Sequence, residues 1–201
     1  AQRLRRDLQE INSFLDGVQM EGGKHAGYRR IFNEGDRPDF NWNKGGRLYS
    51  VGDDNYQRMK KRDRLQMRLD GEPVAEIDVK ASFLTILYAL HGEQLDHDRD
   101  PYEVPGVERE VVKQWVTMTL GHDKFHKGWP SEAKKDLEKD LGRKLSFTAP
   151  QVQAKVLERH PILADWPEQK TSCFDLMFME SEAVVNTILR LKREQGLPCL
   201  S

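Results

Sequence analysis

The hydrophobic pattern of this chain changes abruptly at one acidic residue, Asp78. Before it, an Asp-Gly pair at positions 70 and 71 separates two strand-like runs, 64–69 and 73–79. Such a pair readily adopts the positive φ angles of a tight turn and is typical of a β-hairpin. After it, from 81 to 91, apolar residues are spaced as in a helix. The sequence therefore predicts a strand that ends at a carboxylate and leads directly into a helix.

Helical patterns account for most of the remaining chain. Helices are predicted at 3–18, 107–120, 130–141, 149–158 and 172–194, and short strands at 28–33, 47–51 and 197–201. No internal repeat or regular alternation of strand and helix is present. A few strands among many helices predict an α+β fold.

Charge alone does not identify a partner. The chain has 32 Lys and Arg residues against 33 Asp and Glu residues, a net charge of −1. One stretch, 57–68, concentrates six cations against a single carboxylate. It is either a track that contacts phosphates or an ordinary solvated face.

Composition and segment lengths predict a location. No apolar run is long enough to span a bilayer, and the first residues lack the apolar stretch of a signal peptide. The two cysteines, Cys173 and Cys199, cannot form a disulfide framework. We expect a cytoplasmic protein without a membrane partner.

Four short motifs follow one another along the chain. Gly46-Arg47-Leu48 precedes Tyr56-Gln57, and Asp78 follows at the end of the strand-like run. Arg109 and Lys113 are four residues apart in a predicted helix, and a long helix ending near Gly196 leads into the last apolar residues. Over roughly residues 40 to 201, this order resembles the family A (DNA polymerase I-like) polymerases, especially the small polymerase-like proteins of phages and mobile elements.

The resemblance implies a palm-like antiparallel sheet with a helical fingers subdomain. It implies four segments: a thumb-like 1–45, a first palm part 46–105, fingers-like helices 106–170 and a return to the palm at 171–201. It also implies a DNA-directed DNA polymerase acting in DNA replication on a DNA primer–template with deoxynucleoside triphosphates and Mg²⁺.

The same resemblance implies roles for individual residues. Asp78 is the catalytic, metal-binding carboxylate; Arg109, Lys113 and Phe83 bind the nucleotide; Arg47, Gln57, Arg62 and Glu180 contact nucleic acid.

Each of these residues also has a simpler interpretation. Asp78 could be a helix N-cap, and Phe83, the predicted sugar gate five residues later, could be a core aromatic. Cations at i and i+4 can converge on one phosphate chain or face solvent, as Arg109 and Lys113 could. Glu180 would repel phosphate, which makes a structural or metal-binding role equally compatible with its charge.

Three departures from the family pattern leave other functions open. Phe83 stands where Glu is usual, and 78–83 resembles the first motif of reverse transcriptases. Leu120 precedes Gly121 where Tyr is expected, so Trp115 becomes a candidate for base stacking. The His-Asp motif of the family is expected after Ser201. The alternatives are a reverse-transcriptase-like polymerase, a non-catalytic palm that binds nucleic acid, and a nucleotidyltransferase that needs no template.

Other residues with possible chemistry are the histidines and tryptophans. His122 and His126 have i, i+4 spacing, but the pattern of a zinc metalloprotease is absent, so a structural or exposed role is expected. Trp42, Trp129 and Trp166 are assigned to packing.

Overall fold

A computed structural model describes all 201 residues, which form two compact units. The first unit contains residues 1–80 and 174–201, and the second contains residues 81–173. Helices hold 47% of the residues and strands 9%, which confirms the α+β class. These units divide the chain at different points from the four predicted segments. Their assignment to thumb, palm and fingers stays a prediction.

The first unit combines two long helices with short antiparallel strands. Its helices are α1 (Gln2–Leu15), α2 (Lys61–Arg64) and α7 (Cys173–Gln195). Its strands are β1 (Met20–Glu21), β2 (Tyr28–Phe32), β3 (Gly45–Ser50), β4 (Arg68–Leu69) and β5 (Glu72–Pro73). One sheet has the order β1-β4-β5, and β2 pairs with β3 in a separate antiparallel hairpin.

The core of this unit lies between the two long helices and the β2–β3 hairpin. In α1 the spacing of Leu4, Ile11 and Leu15 places these residues on one buried stripe. Along the hairpin, alternate residues point inward, and Tyr28 and Leu48 are buried. One cluster of buried residues joins these elements: Ile11, Leu15, Tyr28, Leu48, Tyr56, Met67, Val185, Ile188 and Leu189.

The predicted Asp-Gly hairpin is confirmed, but both of its strands are shorter than expected, because β4 begins only at Arg68 and β5 ends at Pro73. Asp70 and Gly71 have φ angles of 51° and 81°, and β4 pairs with β5 across this turn. Residues 74–80 belong to neither a helix nor a strand, and neither do residues 197–201. The strand predicted at 73–79 is therefore present only at Pro73, and the strand predicted at 197–201 was wrong. Ile77 is 89% exposed and Val79 63% exposed, so the apolar pattern that predicted the first of these strands does not bury these side chains.

The second unit is helical. It contains α3 (Ser82–Leu90), α4 (Arg109–His122), α5 (Ser131–Leu141) and α6 (Ala149–Arg159), all within about two residues of their predicted bounds. Thr148 and Gln151 form a capping box that begins α6. The interior of the unit is apolar and contains Val112, Trp115, Leu120, Val152, Val156, Leu163 and Trp166. No helix of the chain combines the length and the apolar character that a membrane span requires.

A buried histidine, His160, lies at the end of α6. Its ring nitrogens lie 2.9 Å from the Tyr88 hydroxyl and 2.7 Å from the Pro101 carbonyl oxygen, and the residue is fully buried. Burial lowers the pKa of His160 below its usual value, with a further lowering by the nearby Arg159 charge. The folded protein therefore favours the neutral ring.

This burial predicts a loss of stability in mild acid. Because the folded-state pKa is lowered, the contribution of His160 is complete above an unfolded pKa of about 6.5 and decreases as the pH falls through the folded pKa. One such group gives a slope of at most about 1.4 kcal/mol per pH unit. We expect the free energy of urea unfolding to decrease less between about pH 7.5 and about pH 5.5 in His160→Gln than in the original protein. An equal loss in both proteins would contradict this assignment.

Candidate functional site

The residues predicted to act together are divided between the two units. Arg47, Gln57, Arg62, Asp78 and Glu180 belong to the first unit. The three nucleotide-binding candidates, Phe83, Arg109 and Lys113, belong to the second.

Two of the predicted nucleic-acid contacts pair with each other. The Arg47 guanidinium donates to the Glu180 carboxylate, with Nη2 2.6 Å and Nε 3.0 Å from Oε2. Arg47 lies on β3 and Glu180 on α7, so the pair joins the hairpin to the long helix. The Arg47 side chain remains 41% exposed. The negative charge of Glu180 therefore offsets the positive charge of Arg47 in the free protein.

The glycines before Arg47 serve internal packing. Gly46 has a φ of +81°, and a Cβ atom there would lie 2.9 Å from Arg30 Nη2 and 2.9 Å from Phe32 Cε1. The hairpin register shifts between Ile31 and Phe32, opposite this position. The lack of a side chain at Gly46 therefore makes room for Arg30 and the aromatic rings beside it.

Arg30 is a buried charge that the sequence analysis missed. Its side chain is 3% exposed, and it pairs with Glu182 of α7 at 2.8 Å. It also donates to the Gly46 carbonyl at 2.6 Å and to the Ser181 hydroxyl at 3.2 Å. Burial raises the pKa of Glu182, but hydrogen bonds from Arg3 and Arg30 outweigh this effect and hold it below its usual value. The signal in the sequence was the alternation of β2, which places Arg30 on the same inward face as Tyr28.

A groove of about 1110 Å³ runs along the first unit beside β3. Its walls come from β3, from residues 52–77 and from the C-terminal residues 197–201. Gln57 lies at one wall and is used internally. Its side-chain oxygen accepts from the Ser50 amide at 2.8 Å, and its side-chain nitrogen donates to the Ser201 carbonyl at 3.2 Å. Gln57 thus joins β3 to the last residues of the chain.

The basic run at 57–68 is partly neutralised by neighbouring acids. The Arg64 guanidinium makes bidentate hydrogen bonds of 3.0–3.1 Å to the Glu76 carboxylate, and Lys61 Nζ lies 3.5 Å from Oε1 of the same carboxylate. Arg58 lies 3.6 Å from Asp53. Arg62 differs, because its side chain is 87% exposed and its only ion pair, with Asp63, is 3.4 Å long. Among the cations of residues 57–68, Arg62 is therefore one of the most accessible to an anionic ligand.

Asp78 is exposed. It lies in the segment 74–80, between the exposed side chains of Ile77 and Val79, and α3 begins four residues after it. The N-cap of α3 is Ala81, which makes no side-chain cap. Asp78 therefore does not cap this helix, and its carboxylate is open to solvent.

In the second unit, Arg109 and Lys113 lie on the first two turns of α4. Arg109 Nε lies 2.7 Å from Asp100 Oδ2, and its guanidinium lies 5.4 Å from the centre of the Tyr102 ring. The hydrogen bond to Asp100 raises the pKa of Arg109. Lys113 is exposed one turn later. The two cations share a helix face, and a bound anion would compete with Asp100 for Arg109.

The aromatic candidates differ in accessibility. Phe83 is half-buried on the first turn of α3. Trp115 is fully buried and stacks on Phe125, so the prediction that it could stack on a nucleic-acid base was wrong. The apolar spacing of Val111, Val112, Trp115 and Val116 already indicated this buried face. Trp166 is buried as predicted, but Trp42 is 45% exposed.

The side chains that could hold a metal ion include two neighbouring histidines. His122 Nδ1 and His126 Nε2 lie 2.8 Å apart and form a hydrogen bond. No three His, Cys, Asp or Glu side chains converge on one point anywhere in the chain. A carboxylate such as that of Asp78 can supply an oxygen ligand to Mg²⁺. Compared with protein-family models, curated proteins and solved structures, the chain shows no match.

Proposed function

We propose that this chain is the palm and fingers part of a template-dependent DNA polymerase, similar to family A. The observation that carries the proposal is the exposure of Asp78 in the irregular segment 74–80, directly before α3 in the sequence. An exposed carboxylate is accessible to a cation and to a reacting group. Because it is exposed, the Asp78 side chain is not part of the packed interior of either unit.

In this proposal, Arg109 and Lys113 bind the triphosphate of the incoming nucleotide. Guanidinium and ammonium groups four residues apart on one helix can contact neighbouring phosphates. Asp100 then acts as a competitor that releases Arg109 when a triphosphate arrives. Phe83, half-buried beside the start of α3, contacts the sugar and disfavours a 2′-hydroxyl.

Catalysis requires at least one carboxylate in addition to Asp78. Two-metal nucleotidyl transfer uses carboxylates that hold both ions, and Asp78 is the one that we assign to this chain. The residues of this chain bind and orient the nucleotide and the nucleic acid.

The exposure of the Arg62 guanidinium, which a phosphate could contact, favours a second candidate. A palm without a complete metal site would bind nucleic acid and regulate another process without catalysis. Both candidates predict nucleic-acid binding, but only the polymerase requires a deoxynucleoside triphosphate.

Triphosphate binding therefore tests the proposal. We expect the double variant Arg109→Ala, Lys113→Ala to bind a fluorescently labelled deoxyadenosine triphosphate about 10- to 100-fold more weakly than the original chain, because charge-assisted hydrogen bonds are lost. Fluorescence titration in the presence of Mg²⁺ measures the affinity.

The matched control is Lys134→Ala, Lys135→Ala on α5, where the two lysines pair with surface glutamates and are 52% and 70% exposed. It removes the same number of charges from the same unit and is expected to leave the affinity unchanged. Equal affinity of the α4 double variant and the original chain would remove the nucleotide-binding role from α4.

A further inference from the structure

The outward face of the β2–β3 hairpin carries a distinct set of side chains. Arg29 lies directly opposite Tyr49, and Ile31 lies directly opposite Arg47. Their neighbours along both strands point into the core of the first unit. The exposed fractions are 43% for Ile31 and 41% for Tyr49.

The charge of this face is positive. None of its four residues is acidic, and Arg29 is exposed without an ion pair. Glu180 offsets Arg47 from one side, as described above. Arg58, 66% exposed, lines the same groove as Arg29 and Tyr49 and lies 3.6 Å from Asp53. Arg29 is therefore the cation of this face best placed to meet an anionic ligand.

An exposed tyrosine beside arginines on a two-stranded hairpin matches the chemistry of one class of ligand. An aromatic ring can stack on the face of a base, and guanidinium groups bind phosphates. Bases expose their faces to a side chain only when they are unpaired and unstacked. A lone exposed tyrosine would be unremarkable. Here its direct partner across the hairpin is an unpaired arginine.

We propose that this face binds single-stranded nucleic acid. Tyr49 stacks on an unpaired base, and Arg29 and Arg47 contact the phosphates on either side. This inference rests on the proposed function for its class of ligand and adds the site and the strandedness, and the binding requires neither Asp78 nor a triphosphate.

Fluorescence anisotropy with a labelled single-stranded oligodeoxynucleotide of about 12 nucleotides tests the proposal. The assay contains EDTA and no triphosphate, so polymerase activity plays no part in it. We expect Tyr49→Ala to weaken binding about 5- to 150-fold, the loss of one stacked base. Tyr49→Phe keeps the ring and is expected to bind as tightly as the original chain. Arg29→Ala is expected to reduce the slope of log affinity against log salt by about 0.7.

Three controls separate this proposal from its alternatives. Arg190→Ala removes an exposed arginine from α7, outside the face, and is expected to have little effect. Asp78→Ala is expected to bind as the original chain does, so a failed catalytic assignment would leave this result intact. Circular dichroism and thermal unfolding show whether each variant is folded.

The proposal is overturned if the original chain does not bind the oligonucleotide, or if folded Tyr49→Ala binds it as tightly as the original chain. Tighter binding of a blunt duplex, insensitive to Tyr49→Ala, would also overturn it and would indicate recognition of the duplex backbone instead.

Discussion

Glu182→Ala is expected to lower the free energy of unfolding by about 3–5 kcal/mol. The substitution leaves the Arg30 guanidinium, whose side chain is 3% exposed, without its main counter-charge. Arg30 would keep its hydrogen bonds to the Gly46 carbonyl and the Ser181 hydroxyl and its contacts with the Phe32 and Phe178 rings, none of which carries a negative charge. An uncompensated buried charge costs more than the ion pair contributes. Urea unfolding followed by circular dichroism measures the effect.

A matched control lies on the same helix. Glu194→Ala removes the exposed partner of Arg190, an i, i+4 pair with side chains 55% and 77% exposed. Exposed helix pairs contribute about 0.3–0.5 kcal/mol. Replacing both Arg30 and Glu182 by Met and Leu is expected to recover much of the lost stability, because no charge then remains buried. If Glu182→Ala and Glu194→Ala have equal effects, Arg30 does not depend on Glu182.

Gly46→Ala is expected to cost about 2–4 kcal/mol. An alanine with a φ of +81° costs about 1 kcal/mol. The new methyl group would also lie 2.9 Å from both Arg30 Nη2 and Phe32 Cε1 and 3.3 Å from Phe178 Cδ2. Overpacking of this kind costs a further ~1–3 kcal/mol. The free energy of urea unfolding measures the sum.

Gly52→Ala separates the two contributions. Gly52 has a φ of +90°, but a Cβ atom there would meet nothing within 4 Å. It therefore reports the backbone cost alone, about 1 kcal/mol. A loss for Gly46→Ala no larger than that for Gly52→Ala would show that the contact with Arg30 and the aromatic rings does not constrain position 46.

Local sequence features were predictable because their causes are local. The turn at Asp70 and Gly71 requires only two residues with positive φ, and the helix bounds follow from apolar spacing and caps. The strand predicted at 73–79 failed for the opposite reason. A strand needs a hydrogen-bonding partner from elsewhere, and its own alternation of residues cannot supply one.

The candidate site was less predictable than the fold. Exposure of Asp78 fits its predicted role, but the pairing of Arg47 with Glu180 depends on α7 packing beside β3, more than 130 residues apart in sequence. The same long-range packing buries Arg30 against Glu182. Trp115 was misassigned although its spacing with Val111 and Val112 indicated a buried face. Contacts between distant elements decide which charged side chains remain available to a ligand.

The most direct test of the central proposal is primer extension by the gene product that contains this chain. The assay uses a DNA primer–template and Mg²⁺, with deoxynucleoside triphosphates and ribonucleoside triphosphates in separate reactions, beside an Asp78→Ala variant. We predict extension with deoxynucleoside triphosphates, weak extension with ribonucleoside triphosphates, and no extension by the variant. Absence of extension on every template, with nucleic-acid binding retained, would contradict the polymerase proposal and leave the non-catalytic palm.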